Sequence, residues 1–219
     1  MDSPENELTH RIAVVDYGVN NVGSVMNALR RVGASPYVAR SESELATARA
    51  IVLPGIGAFD SGVKNLRELG LFDVLRARAA DRVPMLGICL GMQLLTNGSE
   101  EGSLEGLSLV DAYTRKLTFD PAKGAERDLK IPHMGWHETR CADDHLIEGL
   151  LGDDARFYYV HSYHVVCNDT ADTAATCHYG SEFVSAVHRG NVYGVQFHPE
   201  KSHRYGLRVF ANFMKLARG

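Results

Sequence analysis

Pro84-Met85-Leu86-Gly87-Ile88-Cys89-Leu90-Gly91 is an apolar run that stops on a cysteine set between two glycines. The run Pro84–Ile88 has the length of a buried strand, and Leu90–Thr96 follows at once with helical character. A side chain on such a tight strand-to-helix turn needs small neighbours, because the backbone there is strained and approaches the adjacent strand closely. The turn exposes the Cys89 sulfur at a helix N-terminus, where free N–H groups and the dipole favour thiolate. The N–H of Leu90 then points toward an oxyanion on a reacting carbon. Taken alone, the pentapeptide is read equally well as a buried cysteine at a strand end.

The same alternation extends upstream. Ile12–Asp16 is a short β-branched run closed by Tyr17-Gly18, and Val22, Val25, Met26, Leu29 and Val32 recur at helical spacing up to Gly33. Ala50–Leu53 is a second buried run that ends in Pro54-Gly55-Ile56-Gly57. Asp60 or Ser61 is placed to cap the next helix, and Leu71–Ala80 continues helical. Continuous apolar strands between amphipathic helices predict a parallel sheet covered on both faces. Downstream the pattern changes to β-prone runs at Phe157–His161, His164–Cys167, Phe183–His188 and Val192–Phe197, with Arg189-Gly190-Asn191 as a turn. Gly206–Ala217 closes the chain as a helix with Leu207, Phe210, Phe213 and Met214 on one stripe, and Thr118–Asp128 is the most loop-like interior stretch. The prediction is an α/β fold: a mostly parallel central sheet with helices on both faces and an antiparallel subdivision. Residues 11–219 form one domain, and residues 1–10 a flexible extension.

Composition excludes several function classes. Lys and Arg number 23 against 27 Asp and Glu, a net charge of −4 without any basic run, so a nucleic-acid partner is not expected. No apolar run approaches the roughly 20 residues that span a bilayer, and the polar, acidic start is no secretory signal, so neither membrane nor export is expected. The four cysteines are widely spread without a CxxC pair, which fits reduced thiols in a cytoplasmic protein.

Two further stretches offer chemistry. Gln196-Phe197-His198-Pro199-Glu200 follows a predicted strand. A cysteine nucleophile needs a base, and the base needs an orienting acceptor. Two residues apart in extended chain, His198 and Glu200 point to the same side. Pro54-Gly55-Ile56-Gly57 lets a peptide rotate and present an N–H to a bound carbonyl, although such turns are often inert. It also lacks the third glycine of a dinucleotide fingerprint. The histidines at 133, 137, 161 and 164 have no cysteine partners at ligand spacing, so no metal is expected, and no cofactor.

The three motifs together, PGIG at 54–57, GICLGMQLL at 87–95 and GVQFHPEKS at 194–202, resemble the class I (triad) glutamine amidotransferases over nearly the whole chain. Asp16-Tyr17-Gly18 with Asn20-Asn21, Pro132-His133-Met134-Gly135-Trp136 and Tyr159-Val160-His161-Ser162-Tyr163 are similar to the glutaminase subunits of imidazole glycerol phosphate synthase. The resemblance implies hydrolysis of L-glutamine to glutamate and ammonia, and a heterodimer with a (β/α)8-barrel synthase subunit of histidine biosynthesis that receives the ammonia. It makes Cys89 the nucleophile, His198 the base and then acid, and Glu200 its orienting carboxylate. It places the oxyanion hole at Leu90, Ile56 and Gly57, and the glutamine site at Gly55, Gln93, Glu101, Ser162 and Tyr163. Trp136 and Lys201 match positions facing the partner. Three departures from that pattern stand out: His203-Arg204-Tyr205-Gly206 after the last motif, His137 after Gly-Trp, and a long segment Lys116–Lys130. They resemble a paralogous branch that feeds ammonia to a sugar amidotransferase of surface-polysaccharide biosynthesis. A stand-alone cysteine hydrolase of the same fold is the third alternative.

Overall fold

A computed structural model of the chain describes residues 11–18, 21–119, 129–141, 145–150 and 155–218. The predicted extension at 1–10 and most of the predicted loop Thr118–Asp128 lie outside the described residues.

The described residues contain eleven strands in one connected sheet. The path runs β2 (Ser35–Ala39), β1 (Arg11–Val15), β3 (Ile51–Gly55), β4 (Met85–Cys89), β11 (Val192–Val195), β10 (Ser181–Arg189), β9 (Thr173–Tyr179), β6 (His133–Cys141) and β7 (Arg156–His161), with β8 (Tyr163–Cys167) and β5 (Ala112–Lys116) branching from β10. From β2 to β11 all pairings are parallel, and from β11 onward all are antiparallel. β11 is therefore the strand at which the topology changes.

Successive side chains of β1 enter opposite cores. Ile12 and Val14 pack with Val25 and Leu29 of α1 (Val22–Arg31) and with Phe210 and Phe213 of the last helix, α6 (His203–Leu216). Ala13 and Val15 pack with Val63 and Leu66 of α3 (Phe59–Glu68) and Leu71 and Leu75 of α4 (Leu71–Ala80). Helices thus cover both faces, as the apolar runs predicted. Among the described residues no helix is long and apolar enough to cross a membrane.

Several local expectations are corrected. β2, β5, β6 and β9 are strands that no apolar run announced, and α2 (Glu42–Ala46) is a short helix closed by a Ser41/Glu44 capping box. Neither Asp60 nor Ser61 caps α3, whose N-cap is Ala58. The Asp60 carboxylate instead accepts the backbone N–H groups of Ser103 and Leu104, pinning a distant loop to α3. Helix α5 spans Leu90–Leu94, shorter than expected, and α6 starts earlier, at His203.

Candidate active site

Cys89 ends β4 and caps α5 with φ 54° and ψ −110°, a conformation that L-residues rarely adopt. Glycines make this turn possible. A Cβ on Gly91 would land on the Leu53 carbonyl oxygen of β3, and one on Gly87 would sit 2.7 Å from backbone atoms of Gly91 and Met92. The sulfur is less open than the turn suggested: Cys89 is 7% exposed, at the wall of a cavity of about 540 Å³. Ile56, Gly57, Leu90, Gln93, Glu101, Ser162, Tyr163 and Lys201 border the same cavity. Seven residues expected at the site from distant parts of the sequence therefore meet around Cys89, and Lys201, expected at a partner-facing surface, borders the same cavity. Gly55, expected at the glutamine site, does not border the cavity; it is buried in β3, where an added Cβ would meet the Tyr17 hydroxyl.

His198 and Glu200 come together by a different route from the one expected. Pro199–Lys201 is a 3-10 turn, not extended chain, and it folds the carboxylate back so that His198 Nδ1 donates to Glu200 Oε1 at 2.7 Å. Both side chains are fully buried. His198 Nε2 carries no protein hydrogen bond and lies within electrostatic reach of the Cys89 sulfur. Burial works against a charged imidazole here, yet the Cys89 sulfur and the Glu200 carboxylate outweigh it and raise the His198 pKa from 6.5 to about 10. Burial likewise opposes the Glu200 charge, and the hydrogen bonds from His198 and Asn21 hold its pKa below the usual carboxylate range. A nucleophile, a base beside it and an acceptor behind the base are the parts of a covalent hydrolase.

Gln196, which had no assigned role, completes the surroundings together with Gln93 and Glu101. Gln196 Nε2 donates to the Cys89 sulfur at 3.7 Å, and its Oε1 accepts from Gln93 Nε2 at 3.1 Å. Gln93 also donates to the Tyr163 carbonyl at 3.2 Å, which fixes the strand bordering the cavity. Glu101 accepts the N–H of Phe59 at 2.8 Å and so secures the start of α3 beside the Ile56–Gly57 turn. An amide just past the end of a strand carries no sequence signature of such a role. Only its adjacency to His198 could have drawn attention to Gln196.

The histidines pair with one another. His133 and His161 face each other across β6 and β7, with His133 Nδ1 2.9 Å from His161 Nε2. His161 Nδ1 lies 2.8 Å from the Tyr163 carbonyl, which can only accept, so that nitrogen carries the proton. His161 Nε2 must then accept from His133 Nδ1, and both rings are neutral. Burial above all lowers their pKa values, to about 4 for His161 and about 3 for His133. Unfolding exposes histidines that bind protons near 6.5, so this contribution to stability is complete above pH 6.5. It is lost as pH falls from there toward 4 for His161 and toward 3 for His133. The shift at His161 alone corresponds to roughly 3 kcal/mol. Urea unfolding across that range should show the loss, and His133→Phe, which keeps ring stacking on Tyr159 and Tyr179, should remove the part due to His133 and leave that of His161. Among the described residues no group of three or more His, Cys, Asp or Glu side chains is arranged to hold a metal ion.

Outside the cavity, Trp136 on β6 is 43% exposed and stacks on His203 with ring centroids 5.2 Å apart. Lys201 lies over the Tyr158 ring at 5.6 Å. Met134, 59% exposed, and Ile56, 38% exposed, add to the apolar surface of the chain.

Residues 13–216 match the family model described as Glutamine amidotransferase class-I. Imidazole glycerol phosphate synthase subunit HisH 2 of Methanococcus maripaludis is 44% identical over 207 residues, covering 94% of this chain and 100% of that protein. The subunit HisH 2 of Pseudomonas aeruginosa is also 44% identical over 207 residues, covering 94% of this chain and 99% of that one. Among solved structures, PurLQS from Thermotoga maritima matches with a TM-score of 0.72 at 20% identity, over 94% of this chain and 97% of that chain. That last likeness is one of fold.

Proposed function

The chain belongs to the class-I glutamine amidotransferase family, and from that premise we propose that it is the glutaminase subunit of an imidazole glycerol phosphate synthase. It hydrolyses L-glutamine and delivers the ammonia to a (β/α)8-barrel synthase subunit in histidine biosynthesis. The observation that carries the reading is the meeting of Cys89 with the His198–Glu200 pair at the ends of the adjacent parallel strands β4 and β11.

The chemistry is acyl transfer in two halves. Cys89 Sγ attacks the side-chain amide carbon of glutamine, and its oxygen, now negative, is held by the N–H groups of Leu90 and of the Ile56–Gly57 turn. His198 protonates the amide nitrogen, the C–N bond breaks, and ammonia leaves a glutamyl thioester. Water then attacks the thioester, giving its proton to His198, and glutamate departs with Cys89 restored. Glu200 keeps the imidazole oriented and balances its charge throughout. Gln93, Glu101, Ser162 and Tyr163 border the cavity, and the segment carrying Ser162 and Tyr163 receives the backbone end of the glutamine.

The subunit works with a partner. Gly57 has φ +102° beside the partly exposed Ile56, so the second oxyanion donor sits on a turn that is free to rotate. A hole lacking one donor costs about 10²–10³ in rate. Glutaminase turnover of the chain alone is therefore expected to rise by that factor when the synthase subunit and its acceptor are added. Full activity of the lone chain would favour a stand-alone hydrolase instead. Trp136 and Lys201 are the contacts proposed for the synthase face, tryptophan being the kind of rigid anchor enriched at interface centres.

One observation favours a second reading in which the acceptor is a sugar. His203, in the segment that departs from the family pattern, stacks directly on Trp136 and so reshapes that face. Stimulation only by a sugar amidotransferase, and not by the imidazole glycerol phosphate partner, would establish it.

A further inference from the structure

We propose that Asn21 is a positioning residue for the acid–base pair: its carboxamide fixes the Glu200 carboxylate and, through it, the ring of His198. The inference rests on the glutaminase reading and adds a member to its machinery from the opposite end of the chain.

Asn21 Nδ2 donates to Glu200 Oε1 at 2.6 Å, across 179 residues of sequence. The same oxygen accepts from His198 Nδ1, while Glu200 Oε2 is buried and meets no donor from another residue. The carboxylate is thus held through one oxygen by two donors, and both stay in place when His198 moves the proton on its other nitrogen, Nε2. Asn21 is the donor that lies outside the acid–base pair, so it ties the pair to the start of α1.

Helix capping does not account for an asparagine at this position, and backbone conformation would be served at least as well by glycine. Asn21 is the N-cap of α1, where an asparagine side chain ordinarily accepts an N–H from its own helix, yet it makes no such bond. Its φ of 102° and ψ of −5° lie in the left-handed region, which glycine occupies without strain. Conformation alone therefore admits glycine as well as asparagine, with glycine the less strained of the two. What remains is the amide that reaches Glu200. The strained turn aims it, since α1 begins immediately after Asn21 and its axis fixes the direction of the side chain.

Of the titratable groups around this contact, His198 acts on Glu200 directly, and Cys89 acts through His198. The Asn21 hydrogen bond favours the ionised carboxylate. Its removal should therefore move the acid limb of the pH–rate profile to higher pH.

The test uses the full chain in complex with its synthase subunit, with wild type measured in parallel. Asn21→Gly keeps the left-handed turn and deletes only the amide. Expected are an unchanged melting temperature, a KM for glutamine within about twofold, and a kcat lower by about 10- to 100-fold, the range for partners that orient a reacting group. The acid limb should shift upward at the same time. Asn21→Asp keeps the shape but replaces the donor with a second carboxylate, and should fall further than the glycine variant at neutral pH. Wild-type kcat and pH profile in Asn21→Gly, or full activity in Asn21→Asp, would overturn the proposal while leaving the glutaminase reading intact. A wild-type complex that does not hydrolyse glutamine would remove both.

Discussion

Replacing Cys89 by alanine is expected to lower glutamine hydrolysis by roughly 10⁴-fold or more, the scale seen when a covalent nucleophile is removed. The fold should be unaffected, because the sulfur makes only long contacts, 3.7 Å from Gln196 Nε2 and 3.9 Å from the Val160 carbonyl. Synthesis from free ammonium by the complex should survive, since only the release of ammonia needs the thiol. The variant also has a spectroscopic signature. The Cys89 sulfur is one of the two groups that raise the His198 pKa to about 10, so the imidazole should titrate at lower pH in Cys89→Ala. NMR of the His198 ring would follow it. Hydrolysis within tenfold of wild type would mean that another group attacks the substrate.

The second large effect is on folding. Gly91→Ala places a methyl on the Leu53 carbonyl oxygen, at a point where β3, β4 and α5 are in direct contact. Neither backbone can withdraw without breaking the sheet register, so a loss of about 3 kcal/mol or more is expected. For a chain of this size that is a fall in melting temperature of about 6–12 °C. Gly23 in α1 supplies the contrast, because nothing lies within 4 Å of a Cβ built there. The same substitution at Gly23 should stabilise by up to about 1 kcal/mol. Calorimetry of the two variants would check sign and size together. Equal effects would mean that the close approach at Gly91 is not what demands glycine.

The parallel half of the sheet was legible because its strands are buried on both faces. Ile12–Asp16, Ala50–Leu53 and Pro84–Ile88 are continuous apolar runs for that reason. β6, His133-Met134-Gly135-Trp136-His137-Glu138-Thr139-Arg140-Cys141, was not, because much of it is exposed and its buried face includes histidine and threonine. β9 hides behind small and polar residues in the same way. At the site, the nucleophile, base and carboxylate were legible since each sits in a short motif with its own local geometry. Asn21 was visible only as part of a resemblance, and Gln196 only as a neighbour of His198. Their roles depend on contacts with residues far away in sequence, which no local pattern encodes. The 3-10 turn between His198 and Glu200 shows a converse case: the pairing was foreseen, but extended chain was not the means.

The place of β11 between β4 and β10 has a consequence for how the molecule is made. Synthesis delivers the thiol early, on a strand whose neighbour on one side is encoded by residues 192–195. Until those residues leave the ribosome, β4 is an open edge carrying Met85-Leu86-Gly87-Ile88-Cys89, the kind of unpaired apolar strand that recruits other chains. Closing the gap requires threading a late segment into the middle of the sheet, a pairing of high sequence separation and hence a slow one. The nascent chain is inert as a hydrolase through this whole interval, because the base that completes the chemistry arrives on the very segment that seals the edge.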